Sequence, residues 1–282
     1  MKGRCVSWRL LAAAFLLRGF GCTVALAEDK PLWELGAGVS ALSFPDYRGS
    51  DQTRSYILPI PYFVYRGEFL KADRNGIRGT FFDNDSVELN GSLNATFPVD
   101  SKDNRARQGM SDIRPTVEVG PALDWKLWRS ADRATALSLQ LPARASFTVQ
   151  SAPQFIGWVL TPRFNLDLGD ISGLPGWNVG VLGGPRYGSR QYHDYFYSVT
   201  PADATPLRRA YQAGGGYAGT ECLISVSKRF PAWWIGAFAR YDSLSGAVFQ
   251  DSPLVKQGHY VAAGVAITWL FGESKQRVPD RD

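Results

Sequence analysis

Residues 86–97 read Ser86-Val87-Glu88-Leu89-Asn90-Gly91-Ser92-Leu93-Asn94-Ala95-Thr96-Phe97. Every even position is polar; every odd position is apolar or Gly. Side chains alternate across an extended chain with period two, so this stretch reads as a strand with one wet face and one greasy face. The alternation continues down the chain in Val117, Val119, Leu123, Trp125 and Leu127, then in Leu137, Leu139, Leu141, Ala143, Ala145, Phe147 and Val149. It moves to even numbers in Ile156, Trp158, Leu160, Phe164, Leu166 and Leu168. It closes in Val261, Ala263, Val265, Ile267, Trp269 and Phe271.

Length separates two folds that share this pattern. Globular strands average about 5–6 residues, whereas a tilted strand needs about 9–11 to cross a bilayer. The segments here run to about 10–14 residues. The face opposite the apolar rows carries Glu88, Glu118, Asp124, Lys126, Arg144, Arg163, Asp167, Arg186, Arg240 and Asp242. A soluble barrel turns its apolar face inward; a polar lumen inside an apolar belt is the membrane arrangement. The expected fold class is therefore all-β, a transmembrane antiparallel β-barrel.

Composition agrees. Of 282 residues, 45% are hydrophobic, 20% charged and 13% aromatic, with 29 Gly and 9 Trp against 3 Cys and 2 His. That excludes a disordered chain and a disulfide scaffold, and argues against a Cys/His metal site. Beyond the first thirty residues no apolar run is long enough for a spanning helix. At the amino terminus Lys2, Arg4 and Arg9 precede the apolar run Leu10–Leu17, and Ala25-Leu26-Ala27 is a small-x-small site. This layout predicts a signal peptide over residues 1–27, cleaved near Ala27, and a mature barrel over 28–282. Loss of Lys2, Arg4, Arg9 and Arg18 leaves 27 of the 31 basic residues against 26 acidic ones, a net charge of +1. The basicity thus belongs to the export signal and is no argument for nucleic acid, which needs a clustered basic face. Cys222 remains the single cysteine, so no internal disulfide is expected.

Outer-membrane barrels keep short turns on the periplasmic side, long loops outside and an even strand number. Long connectors fall at 43–55, 98–114, 188–216 and 245–258, and short ones at 66–67, 83–85, 128–133, 169–176 and 231–232. Reading 68–82 as two short strands split at Arg74-Asn75-Gly76 puts every long loop outside, and Asn-Gly is a strong hairpin signal. This gives twelve strands, with ten as the alternative: 33–42, 56–65, 68–73, 77–82, 86–97, 115–127, 134–149, 155–168, 177–187, 217–230, 233–244 and 259–271, followed by a tail, 272–282. Pro59 and Pro61 remove ladder donors from the second strand and predict a bulge or local edge there. Trp33, Trp125, Trp177, Phe230, Trp233 and Trp269 then fall at periplasmic ends of outward rows. Tyr56, Phe97, Phe147, Trp158, Tyr187 and Tyr241 fall toward the outer ends. Two such girdles are what bilayer interfaces favour.

The loops carry a likeness. Pro45-Asp46-Tyr47-Arg48-Gly49-Ser50-Asp51, Asp103-Asn104-Arg105-Ala106-Arg107-Gln108-Gly109-Met110, Tyr192-His193-Asp194-Tyr195-Phe196-Tyr197, Gly215-Gly216-Tyr217-Ala218-Gly219-Thr220, Ser245-Gly246-Ala247-Val248-Phe249 and Asp251-Ser252-Pro253-Leu254-Val255 together resemble the MipA/OmpV family of outer-membrane proteins. The likeness runs from about residue 33 to 271. It implies a non-enzymatic role, a scaffold that holds a lytic transglycosylase and a murein synthase together, with outer-membrane lipid as the other partner. Surface adhesin or antigen is the alternative it also carries. The tail is a departure, since barrels of this kind commonly stop at the final aromatic, here Phe271.

No catalytic, cofactor-binding or metal-ligating residue is assigned. His193, Asp194 and His259 lie in or beside the outer loops, where barrel enzymes keep a general base; adjacent residues diverge in a strand, and His193 is read as a solvated loop histidine. Asp83-Asn84-Asp85 is read as a turn, not a calcium loop, and Asp46 and Asp51 complete no ligand set. Arg105 and Arg107 are read as solvated. The lumen charges are mixed in sign, which favours internal ion pairs over the one-sign rings of a selective pore. A narrow solute channel stays as the competing reading, because twelve strands lie between filled and open barrels.

Overall fold

The computed structural model describes residues 30–66, 70–73, 76–132, 134–169 and 175–278. The expected signal peptide lies outside the described residues, as does part of the Arg74-Asn75-Gly76 turn. Among the described residues twelve antiparallel strands form the barrel. They are β1 (Trp33–Pro45), β2 (Thr53–Arg66), β3 (Leu70–Asp73), β4 (Gly76–Asp83), β5 (Val87–Thr96), β6 (Thr116–Arg129), β7 (Thr135–Thr148), β8 in two halves (Phe155–Leu160 and Arg163–Gly169), β9 (Trp177–Gly188), β10 (Gly216–Arg229), β11 (Trp233–Ser243) and β12 (His259–Glu273). Each strand pairs with its sequence neighbours, and β12 pairs with β1 from Ala263↔Ser43 to Glu273↔Glu34 to close the ring.

The residues explain the closure. Cross-strand partners share a face. Val265↔Ala41 and Val39↔Ile267 therefore line up on the outside, and Ala266↔Ser40 on the inside. Val39, Leu93, Val119, Ile224, Val261 and Val265 are exposed and form the apolar belt. Glu88, Asn90, Glu118, Asp124, Gln140, Arg144 and Asp242 are buried within the lumen. Trp125, Trp233 and Trp269 stand exposed at the short-turn end. The break in β8 falls at Thr161-Pro162, where the missing N–H ends the ladder. The first half pairs with Ala143–Phe147 of β7 and the second with Thr135–Gln140.

Three readings need correction. Tyr56 does not belong to an outward girdle: it pairs with Leu42 on the lumen face of β1 and stacks on Phe44 at 5.2 Å. Phe97 closes on that same pair, 5.0 Å from Tyr56. Ile156 is not lipid-facing, because a register shift between Ser146 and Phe147 turns it into the packed core above the lumen. The described part of the tail is tied to the barrel: Arg277–Val278 pairs with Lys30–Pro31, and the Ser274 N–H donates to the Trp33 carbonyl at 2.9 Å.

Candidate functional site

The long connectors (46–52, 97–115, 189–215 and 244–258) fold onto one another across the outer mouth. A helix, α1 (Arg190–Tyr197), starts where the Ser189 side chain accepts from the Tyr192 N–H. Its buried residues Tyr192, His193, Phe196 and Tyr197 recur at helical spacing on one face. Tyr192, Phe196 and Tyr197 meet Tyr47, Val99, Ile113, Ile156, Phe249 and Leu254 in one apolar cluster, and the His193 ring lies edge-on to Phe249 at 4.7 Å. Tyr197 and Phe249 lie parallel with ring centroids 3.7 Å apart, and Phe249 is 0% exposed. Polar bonds lace the connectors together. Tyr47 donates to the Leu254 carbonyl (2.8 Å), Tyr197 to the Arg48 carbonyl (3.1 Å) and Ser252 to the Tyr197 carbonyl (2.7 Å). Asn104 donates to Asp46 (2.8 Å) and Ser50 (3.1 Å), and Arg208 to the Ala106 and Gln108 carbonyls. Gly157, at φ +127°, and Gly188 let this cap sit down on the barrel. A Cβ at the first would strike Ser189 Oγ and the Tyr192 nitrogen, and one at the second would strike His193 Nε2.

Below the cap the lumen is crossed by arginines held in pairs by single carboxylates. Glu118 on β6, 0% exposed, takes Arg186 of β9 at 2.9 Å and Arg144 of β7 at 3.3 Å. Tyr192 and Asn94 also donate to it, each at 3.0 Å. Asp242 on β11 takes Arg48 (3.0 Å) and Arg240 (2.7 Å). Glu34 on β1, near the short-turn rim, takes Arg66 (3.0 Å) and Arg229 of β10 (2.7 Å). Charge-assisted bonds of this kind satisfy groups that burial would otherwise penalise. Because Glu118–Arg186 and Glu34–Arg229 join strands that are not neighbours, they act as struts across the lumen. Between them lies a cavity of about 380 Å³ lined by Leu42, Asp167, Leu223, Trp234, Phe238 and Gly264 among others.

The singled-out loop residues are placed as follows. His193 is 0% exposed, not solvated; its Nδ1 lies 2.7 Å from the Gly214 carbonyl. Burial pushes its pKa down, against the Gly214 bond, and Arg186 and Arg48 push the same way, so the ring is neutral. Asp194 points away and accepts from Ser198 at 2.7 Å. His259 stands exposed at the start of β12. The structure therefore does not bring the two histidines and Asp194 together. Arg107 is buried, donating to Ser101 and to the Phe196 carbonyl. Arg105 is exposed and paired with Asp51 at 2.9 Å. Asp46 is taken up by Arg54 (2.6 Å) and Asn104. Asn84 forms the expected turn, accepting from the Ser86 and Val87 N–H groups. No cluster of metal-ligating side chains occurs among the described residues. The cap itself escaped the sequence reading; Ser189 and Thr200-Pro201, which start α1 and the next helical turn, were the signals that mark it.

The sequence relatives of the chain are outer membrane proteins. The model of the family described as MltA-interacting protein MipA matches residues 37–271. The chain is 27% identical over 229 residues to the outer membrane protein Omp26La of Vibrio anguillarum, and 26% identical over 227 residues to the outer membrane protein OmpV of Vibrio cholerae serotype O1. Each alignment covers 78% of this chain and 80% of the relative. Among solved structures it is similar to a bacterial polysaccharide outer membrane secretin, at a TM-score of 0.41 and 10% identity over 86% of this chain and 98% of that one.

Proposed function

The chain belongs to the MltA-interacting protein MipA family, and from that premise we propose that this outer-membrane barrel is a non-enzymatic scaffold that holds a murein-hydrolysing and a murein-synthesising enzyme together. The observation that carries this is the closed outer mouth. With the long connectors packed into one core and arginine–carboxylate struts across the lumen, the barrel offers surfaces rather than a passage. The surface on the murein side is the short-turn rim. There the Lys30–Pro31 and Arg277–Val278 ladder adjoins the strand ends, and Trp128 stands exposed at the end of β6.

The test is capture of a lytic transglycosylase and a murein synthase from detergent-solubilised envelopes by the purified barrel. Both enzymes in the eluate, released by competing rim peptides, is the expected result. Repeated absence, with an intact heat-modifiable barrel, overturns the scaffold and leaves adhesin or antigen as the better description. Single-channel conductance of the wild-type barrel in planar bilayers would instead favour a narrow channel. Hydrolase activity abolished by His193→Ala would overturn the non-enzymatic reading.

A further inference from the structure

Among the described residues only the short β3–β4 hairpin links β2 to β5. On its side away from β1, β2 pairs with β3 only at Tyr65↔Ala72 and Arg66↔Lys71. On its side away from β6, β5 pairs with β4 only at Glu88, Leu89 and Asn90. Above those pairs, Thr53–Val64 and Gly91–Thr96 have no ladder partner on these edges among the described residues. Phe97 spans the top, stacked on Tyr56 and Phe44 at 5.0 and 5.1 Å. Ile57 and Leu93, 79% and 58% exposed on the outer face, place the break inside the apolar belt.

Two further features of β2 bear on what this opening admits. The inward row of β2 carries no charge: it is Tyr56, Leu58, Ile60, Tyr62 and Val64, opposite Leu42, Ser40, Gly38, Gly36 and Glu34 of β1. The row passes directly to the cavity, since Leu42 pairs with Tyr56 and also lines that cavity. Pro59 and Pro61 share one edge, and the β1–β2 ladder runs without a shift from Trp33↔Tyr65 to Pro45↔Thr53. A proline nitrogen pointing at β1 would interrupt that ladder, so both point at the opening. There they remove donors that hydrocarbon cannot satisfy. They also deny an added strand the ladder it needs, which excludes a peptide strand as occupant.

We propose that an acyl chain of a lipid in the surrounding membrane enters the barrel sideways between β2 and β5 and lies along Tyr56, Leu58 and Ile60 toward the cavity. The cap shuts the aqueous route from outside, while the opening faces the phase where acyl chains are. This inference is independent of the scaffold reading: it concerns the wall, and partner capture at the rim neither requires nor excludes it.

The experiment reconstitutes the full mature chain in phosphatidylethanolamine vesicles doped with a phospholipid carrying a photoactivatable group midway along one acyl chain. Adducts are then mapped by mass spectrometry. Expected are adducts on inward Leu58 and Ile60 as well as on outward Ile57 and Phe63. In the Leu58→Gln/Ile60→Gln variant the inward adducts are lost and the outward ones persist. Adducts confined to outward residues overturn the proposal. If that variant loses its heat-modifiable migration, a nitroxide reports instead, placed at Ile60→Cys in a Cys222→Ser background. Its collision rate with oxygen should match that of a label at Ile57→Cys. A rate matching a label at lumen-facing Ser138→Cys, which lies outside the cavity lining, sinks the idea.

Discussion

Two parts of the wall are built from the same alternating code and end differently. From β6 round through β12 to β1 every strand is paired on both edges, and lumen carboxylates meet lumen arginines. Between β2 and β5 the wall is a short hairpin with an opening above it. What distinguishes the stretches is the chemistry of the inner row. Glu118 gathers Arg144 and Arg186 and ties three strands together, whereas Leu58 and Ile60 bring the lumen nothing to bond. Where carboxylates meet arginines across the lumen the strands are cross-linked; along Leu58 and Ile60 no such link forms.

The largest expected effect lies on the closed side. Glu118→Gln leaves two buried guanidiniums facing one another without their anion, and unfolding in urea from lipid vesicles should show a loss of about 3–5 kcal/mol. A much smaller loss would mean that water already screens this strut. Next, Phe249→Ala empties the centre of the cap, about 3 kcal/mol of local packing. Faster hydrogen exchange over 189–215, with the strands unchanged, checks it. Pro59→Thr with Pro61→Thr tests the open side. Two new N–H groups on a lipid-facing edge should destabilise by about 1–3 kcal/mol each, measured by the same unfolding. A gain in stability would show that the edge finds partners.

Smaller again is the effect of acid on the cap. The folded pKa of His193 lies below that of the unfolded chain, about 6.5, so the unfolded form takes the proton first. The contribution is whole above about pH 6.5 and is lost as pH falls through the depressed folded value. Trypsin nicking of 189–215 should therefore rise on acidification in the wild type and stay flatter in His193→Gln. Smallest is Arg105→Ala, which removes an exposed pair with Asp51 and should cost under about 1 kcal/mol in the same urea titration.

How much of this was legible beforehand follows from where each residue gets its environment. Period two reported the β5, β6, β7 and β12 faces correctly because those strands see two different solvents. It failed at Tyr56, since Ile57, Leu58, Pro59, Ile60 and Pro61 are apolar on both faces and parity carries no information there. The prolines nonetheless announced a local edge, which is what β2 has. The lumen ion pairs were expected from mixed charge, though not which carboxylate holds which arginines. The cap was invisible because its core joins residues as far apart as Tyr47 and Leu254, and no periodicity links them. For the same reason the sequence reads His193 as a solvated loop histidine, whereas the fold packs it between Phe249 and Gly188.

The small ladder joining Lys30–Pro31 to Arg277–Val278 makes the first and last described residues of the barrel neighbours. A short linker would suffice to fuse them, and the ring would then have no privileged starting strand. It also means that whatever continues beyond Lys30 or Val278 leaves from a single edge of the cylinder, at its short-turn end.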